Sequence, residues 1–443
     1  MRTLFSLVLL LSLPFSVNAA AISLAEALQE GLLNNPGYLA SSADTVAARA
    51  VSAQAASQRL PRLELKENLL WTNEPGGSLF ISLNQERLKL SQSADDYNYP
   101  PTRSDFETRL QLTQPIYNPD IHYGYRQAKK QAAVSEARQK ADREALLLEI
   151  FAAYLEVQRQ QSILSWVDSS LREADEILRL AAEKEQAGIG LKAETLSARV
   201  HLSESRRLQI HATNGFKLAR RNLALILGSE EEELDIEAPV TSDLLGPPSP
   251  GQKLQRPDLQ AIDLQRQAFS LAREQSEAAW LPRLHAAASW SSHDRDYPFS
   301  DFADSWGLQL GLSWVLYDGS SRQHASTKAL AEERSMVARQ KMADRQARFD
   351  VEQARLEGQM VSRQLEVVSS SRAAAEESFR LLKSRYSSGL APLSELLAAQ
   401  SRLEKTRADL VSTELQLLHN LAQQHYLLGS LSAVILDKEG TRE

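Results

Sequence analysis

Two acids stand at the same distance from two glycines. Glu194 lies six residues after Gly188, Glu395 lies six residues after Gly389, and the two glycines are 201 positions apart. Glycine tolerates positive φ and suits the end of a helix, so each glycine marks a reversal of the chain with a carboxylate just beyond it. A carboxylate at such a place repels like charge or binds a cation. Catalytic chemistry is not written in this chain: there is no His-Glu-x-x-His, no nucleophile elbow and no phosphate loop, and Gly188-Ile189-Gly190 lacks the third glycine of a nucleotide fingerprint. The eight histidines are scattered, and His293-Asp294-Arg295-Asp296 reads as a solvated loop between strands rather than a metal site. Met336, Met342 and Met360 on one helix read as ordinary filler. The expectation is a protein with no catalytic residue, no metal and no cofactor.

The elements that carry these acids are written twice. Pro36 and Pro257 open similar helical stretches at an offset of 221, and Leu60-Pro61-Arg62-Leu63 and Leu281-Pro282-Arg283-Leu284 follow at the same offset. Gln114 to Pro119 then corresponds to Trp314 to Gly319 at an offset of 200, and Ala187-Gly188-Ile189 to Ser388-Gly389-Leu390 at 201. The first copy therefore holds about 21 extra residues between Glu74 and Asp105, expected as an exposed loop.

Each copy predicts two strands, over about 61–73 and 106–117 and over about 282–293 and 304–317. In the first, Leu63, Leu65, Leu69 and Trp71 share one face while Glu64, Lys66, Asn68 and Thr72 share the other, with Glu67 as an exception. In the third, Leu284, Ala286, Ala288 and Trp290 alternate with His285, Ala287, Ser289 and Ser291. The last runs Trp306, Leu308, Leu310, Leu312, Trp314 against Gly307, Gln309, Gly311 and Ser313. Period two with aromatic ends is what a lipid-facing strand needs.

Nearly everything else is helix. From Pro119 to Gly188 and from Gly319 to Gly389 only Gly124 and Gly358 interrupt, and about 70 residues at ~1.5 Å each make a rod of ~100 Å. Leu164, Val167, Leu171, Ala174, Leu178 and Ala181 recur by threes and fours, the seam of a coiled coil. Repeat 1 covers 22–228 with its hairpin tip near 187–190, and repeat 2 covers 257–431 with its tip near 387–391. Residues 229–256, rich in proline and acids, read as the connection between them, and 432–443 as a tail.

Arg2 followed by the apolar run Leu4 to Val17 predicts a signal peptide over 1–19, cleaved after Ala19 or Ala21. No cysteine occurs in 443 residues, which excludes disulfides and a lipid-modified cysteine anchor. The formal net charge of −7 is spread along the chain, and no basic cluster suits nucleic acid. Four strands cannot close a membrane barrel, which needs about eight, so the chain must oligomerise; geometry alone leaves three and four copies open.

The opening Ile22-Ser23-Leu24-Ala25-Glu26-Ala27-Leu28 with Asn35-Pro36, the two Leu-Pro-Arg-Leu strand starts, and Tyr386-Ser387-Ser388-Gly389-Leu390 followed by Ser394-Glu395-Leu396-Leu397 together resemble the TolC-like outer-membrane efflux proteins, over nearly the whole chain. The resemblance implies a mostly α fold with a small membrane β-barrel part: a homotrimer whose twelve strands form a barrel and whose helices form a twelve-helix tunnel through the periplasm. It implies a passive channel of an efflux or type I secretion system in the outer membrane and its lipid. Such a duct is opened by a periplasmic adaptor and an inner-membrane pump of RND, ABC or MFS type, with cargo chosen by the pump. It implies that Gly188, Ile189, Gly190, Gly389 and Leu390 form tips where the adaptor docks. Glu395 would face the lumen as an aperture ring, and Tyr386 with Glu194 would link the two hairpins in the closed state. Ala398 stands where a second acidic ring is expected, and Ala391 where an arginine usually assists the link. A periplasmic coiled-coil scaffold without a pore is the competing reading, in which the alternating strands would form a water-soluble domain.

Overall fold

The computed structural model describes residues 21–89, 93–241, 244–249 and 251–439. The expected signal segment therefore lies outside the described residues, apart from Ala21 at one proposed cleavage site. The elements run α1 (Leu24–Asn34), α2 (Pro36–Ser57), β1 (Arg62–Thr72), α3 (Pro75–Asn84), α4 (Ala94–Asn98), β2 (Arg103–Tyr117), α5 (Pro119–Gln186) and α6 (Lys192–Leu227). They continue with α7 (Pro257–Ala278), β3 (Arg283–Asp294), β4 (Asp304–Ser313), α8 (Ser321–Ser387), α9 (Leu393–Leu428) and α10 (Leu431–Glu439). Pro36, Pro119 and Pro257 each sit at a first helical position, where the missing N–H costs nothing. Among the described residues no helix is long and apolar enough to cross a membrane.

The chain divides into two compact units that cut across the sequence repeats. One comprises Met1–Ser42, Arg138–Asp258 and Asp344–Glu443; the other comprises Ala43–Ala137 and Leu259–Ala343. Each repeat contributes to both, because strands of one repeat pair with strands of the other.

The second unit holds a four-stranded antiparallel sheet in the order β1-β2-β3-β4, with β1 and β4 at its open edges. Register places Leu63, Leu112, Ala288 and Leu308 in one row and Leu65, Leu110, Trp290 and Trp306 in the next. The opposite face carries Glu64, Gln111, Ser289 and Gly307, then Lys66, Arg109, Ser291 and Ser305. A slip of one residue would exchange these two faces, so the pattern pins the pairing. Glu67 on the apolar face accepts a bond from the Thr108 hydroxyl at 2.6 Å, which offsets part of its misplacement. β2 starts at Arg103 rather than 106 because β1 extends to Thr72 opposite it. β4 ends at Ser313 rather than 317, opposite Arg283, since the preceding Pro282 has no N–H to continue the ladder.

Three expectations need correction. The insertion is not a bare loop: α3 and α4 form within it, with Ser78, Ile81 and Ser82 buried. His293 and Asp294 are not solvated loop residues but the buried end of β3, with His293 Nδ1 2.9 Å from the Asp105 carboxylate. The connection between the repeats packs on the core, where Ile236 bridges Ile22 in parallel and Tyr154 donates its hydroxyl to Ala238 O at 3.0 Å. Leu244 and Leu245 are buried in the same core. Residues 431–439 form α10, whose Leu431 and Ile435 are fully buried beside Leu415 and Leu418 of α9. A nine-residue helix bears too few apolar turns to be read as such from periodicity.

In the first unit α5, α6, α9, α10, the connection and α1 enclose a core around Leu28, Leu147, Ile150, Phe151, Leu223 and Leu227. Burying one leucine-sized side chain contributes ~1.5–3 kcal/mol, so this cluster is the main anchor of that unit. α1 is entered through a capping box in which Ser23 and Glu26 satisfy each other's backbone N–H groups.

Candidate functional site

The two reversals predicted from the glycines share one backbone device. Gly188 and Gly389 both take φ of +75°. Ile189 N donates to Lys184 O at 3.0 Å and Gly188 N to Glu185 O, while Leu390 N donates to Arg385 O at 2.8 Å and Gly389 N to Tyr386 O. These paired bonds form a Schellman motif at each helix end and satisfy carbonyls that the helix leaves free. Gly190 is required for space instead, because an added Cβ would come within 2.9 Å of the Glu185 nitrogen.

Beyond each turn the chain re-enters helix through Leu191 and Pro392. Glu194 and Glu395 are then third residues of α6 and α9, in the first turn, where the helix dipole favours a negative charge. Glu395 and Ala398 are both exposed, Glu194 and Ala391 half-buried. Ile189, Leu191 and Leu390 stand out at the tips as exposed apolar side chains.

A single buried cluster ties the four helices together behind the turns. Ile177 and Ala181 of α5, Ala198 of α6, Phe379 and Tyr386 of α8, and Leu393, Leu396, Ala399 and Leu403 of α9 pack against one another. Tyr386 is almost wholly enclosed, and its pKa is raised, first by burial and second by the charge of Glu194. No hydrogen bond joins the two among the described residues, and the Tyr386 hydroxyl is buried without a partner.

The link that the geometry supplies comes from Lys184. Its ammonium lies 4.1 Å from the centroid of the Tyr386 ring and also donates to the Tyr386 carbonyl oxygen, joining the last turn of α5 to the last turn of α8. An ammonium over an aromatic face contributes ~0.5–2 kcal/mol according to its desolvation. Sequence reasoning missed Lys184, although a signal was present: both long helices carry a basic residue in the last turn, Lys184 and Arg385, four residues before the glycine. Arg385 bonds within its own turn, reaching Leu390 O at 3.4 Å, whereas Lys184 reaches across.

Among the described residues no group of three His, Asp or Glu side chains could hold a metal ion. The site can hold two hairpins together and present acid and apolar groups at its surface.

The family model for "Outer membrane efflux protein" matches residues 27–229 and 252–430. The alkaline protease secretion protein AprF of Pseudomonas aeruginosa is 24% identical over 336 residues, covering 70% of this chain and 64% of that protein. The chain thus spans less than two thirds of that relative's length. The outer membrane protein TolC of Escherichia coli is 23% identical over 454 residues, covering 98% of this chain and 87% of its own. Among solved structures, CusC superposes with a TM-score of 0.80 at 18% identity, covering 94% of this chain and 92% of that one. The CmeC outer membrane channel of Campylobacter jejuni also gives 0.80, at 16% identity over 92% and 86% of the two chains. At these identities the structural likeness establishes the fold.

Proposed function

The chain belongs to the outer membrane efflux protein family, and from that premise we propose that it is the passive exit duct of a tripartite efflux or type I secretion assembly in the outer membrane. The observation that carries this reading is the sheet. Trp306, Leu308, Leu310 and Leu312 of β4 are 66–81% exposed on one face, the other face is polar, and among the described residues both sheet edges are unpaired. In water such a surface invites aggregation. In lipid it is the outer wall of a barrel, provided that other copies complete the ladder.

Three copies would give twelve strands, enough to leave a channel. The partners are two further copies of this chain, outer-membrane lipid, a periplasmic adaptor and an inner-membrane pump. The adaptor would dock on the tips at Gly188, Ile189, Gly190, Gly389 and Leu390, where Ile189 and Leu390 offer apolar contact. The closed aperture would be held by Lys184 on Tyr386, with Glu194 beside it, and lined by Glu395. Cation binding there would rest on a single acid, since Ala398 supplies no second charge.

Fractionation of cells expressing the chain tests the reading. The protein should sediment with outer membranes and resist extraction by salt or alkaline carbonate. Recovery in the soluble periplasmic fraction would favour the pore-free scaffold instead.

A further inference from the structure

The insertion between β1 and β2 folds over the polar side of the sheet. α3 buries Ser78, Ile81, Ser82 and Gln85, at helical spacing, and leaves Phe80 64% and Leu83 45% exposed. Apart from Ile81 the buried face is small and polar, unlike that of an ordinary amphipathic helix, which hides its large apolar groups. Its polarity has a local cause. Asp105, Glu107 and Arg109 alternate on the polar face of β2, His293 lies opposite Glu107 on β3, and a helix seated there needs polar contacts.

Gln85 makes them. Its side-chain nitrogen donates to Ser104 O at 2.9 Å and to the Asp105 carboxylate at 2.8 Å, and the other Asp105 oxygen meets His293 at 2.9 Å. Asp105, His293 and Gln85 are all buried, so this clasp is shielded and fixes the C-terminal end of α3 to two strands at once. The Arg87 guanidinium, just beyond it, lies 5.8 Å from the Phe302 ring in the β3–β4 connection. The helix is thus tied at its C-terminal end to β2 and β3, and the apolar pair Phe80 and Leu83 faces away from the sheet.

We propose that α3 is a luminal insert and that Phe80 and Leu83 form an apolar constriction at the outer mouth of the duct, which limits the size and hydration of what passes once the pump has delivered it. This rests on the duct reading above, in which the polar face of the sheet lines the lumen. A helix on that face projects inward, and each turn of the barrel contributes it once per chain, because the second repeat lacks the insertion. The occupant facing each apolar pair is the same helix of the other two copies, around the barrel axis. A ring of phenylalanine and leucine side chains in a narrow aqueous passage disfavours water and hydrated ions while admitting apolar solutes.

Asymmetric polymer exclusion in planar bilayers tests this, since neutral polyethylene glycols added to one side size the mouth on that side alone. The Phe80→Ser, Leu83→Ser double variant alters exposed side chains and leaves the Gln85 clasp untouched. It should admit polymers of about two-fold greater mass from the outer side, with the cut-off on the periplasmic side unchanged. Gln85→Ala, which releases the helix without changing its apolar pair, should shift the outer cut-off in the same direction. An outer cut-off equal to wild type in both variants would overturn the constriction while leaving the duct in place. Absence of any conductance, wild type included, would strike at the duct reading and the constriction with it.

Discussion

The two hairpin tips share a turn but not a task. Gly188 and Gly389 have the same φ, the same pair of closing bonds, and an acid six residues on. Yet the basic residue before the first glycine crosses to the other hairpin, while the one before the second caps its own turn. The acid after the first is half-buried beside Tyr386, and the acid after the second is exposed. The two tips thus share a backbone device and differ in side chains: the first is bonded to the other hairpin, and the second leaves its acid exposed.

The sharpest way to break this comparison is Lys184→Ala. Loss of a charge-assisted bond costs ~1.5–3 kcal/mol when shielded and about 1 kcal/mol at a wet rim, so the open population of the isolated trimer should rise about five-fold, read as open probability in single-channel records. Tyr386→Phe should change little, because the ring and carbonyl that Lys184 uses remain and the lost hydroxyl has no partner. If Tyr386→Phe opens the channel and Lys184→Ala does not, the hairpins are held by the tyrosine hydroxyl after all.

Charge presentation is tested by Glu395→Gln, which should weaken divalent-cation block from the periplasmic side about ten-fold, whereas Glu194→Gln should leave it within about two-fold. Equal loss in both would erase the division of roles. The shared turn makes the opposite kind of prediction: Gly188→Ala and Gly389→Ala should each destabilise by about 1 kcal/mol, alike, through the strain of positive φ on a side chain. Thermal unfolding of the two variants measures it. The smallest effect concerns Tyr386 itself. Its raised pKa means the associated stability is complete below the ordinary tyrosine value and is lost as pH rises through the raised one. Glu194→Gln should lower that titration only part of the way, since burial is the larger cause, and carbon-13 signals of labelled tyrosine would follow it.

The strands and the turns were legible in the sequence because period two in Trp306 to Trp314 and the fixed offset between Gly188 and Gly389 are local patterns. What escaped reading depends on distant partners. Lys184 meets Tyr386 202 residues away, and Tyr154 reaches the connection at Ala238 across 84. α3 escaped for another reason: its buried face joins Ser78, Ser82 and Gln85 to the single apolar Ile81 while Phe80 and Leu83 are exposed, so hydrophobic periodicity gives no clear face. His293 looked solvated because its neighbours Asp294, Arg295 and Asp296 are charged, and only the strand register shows that Asp105 covers it.

The most direct test of the account is the assembly and conductance of the chain purified in mild detergent. The two open sheet edges require an oligomer, which the proposed duct makes a trimer, that inserts into planar bilayers and conducts, with open probability rising in Lys184→Ala. A monodisperse monomer that stays folded without detergent and never conducts would contradict it.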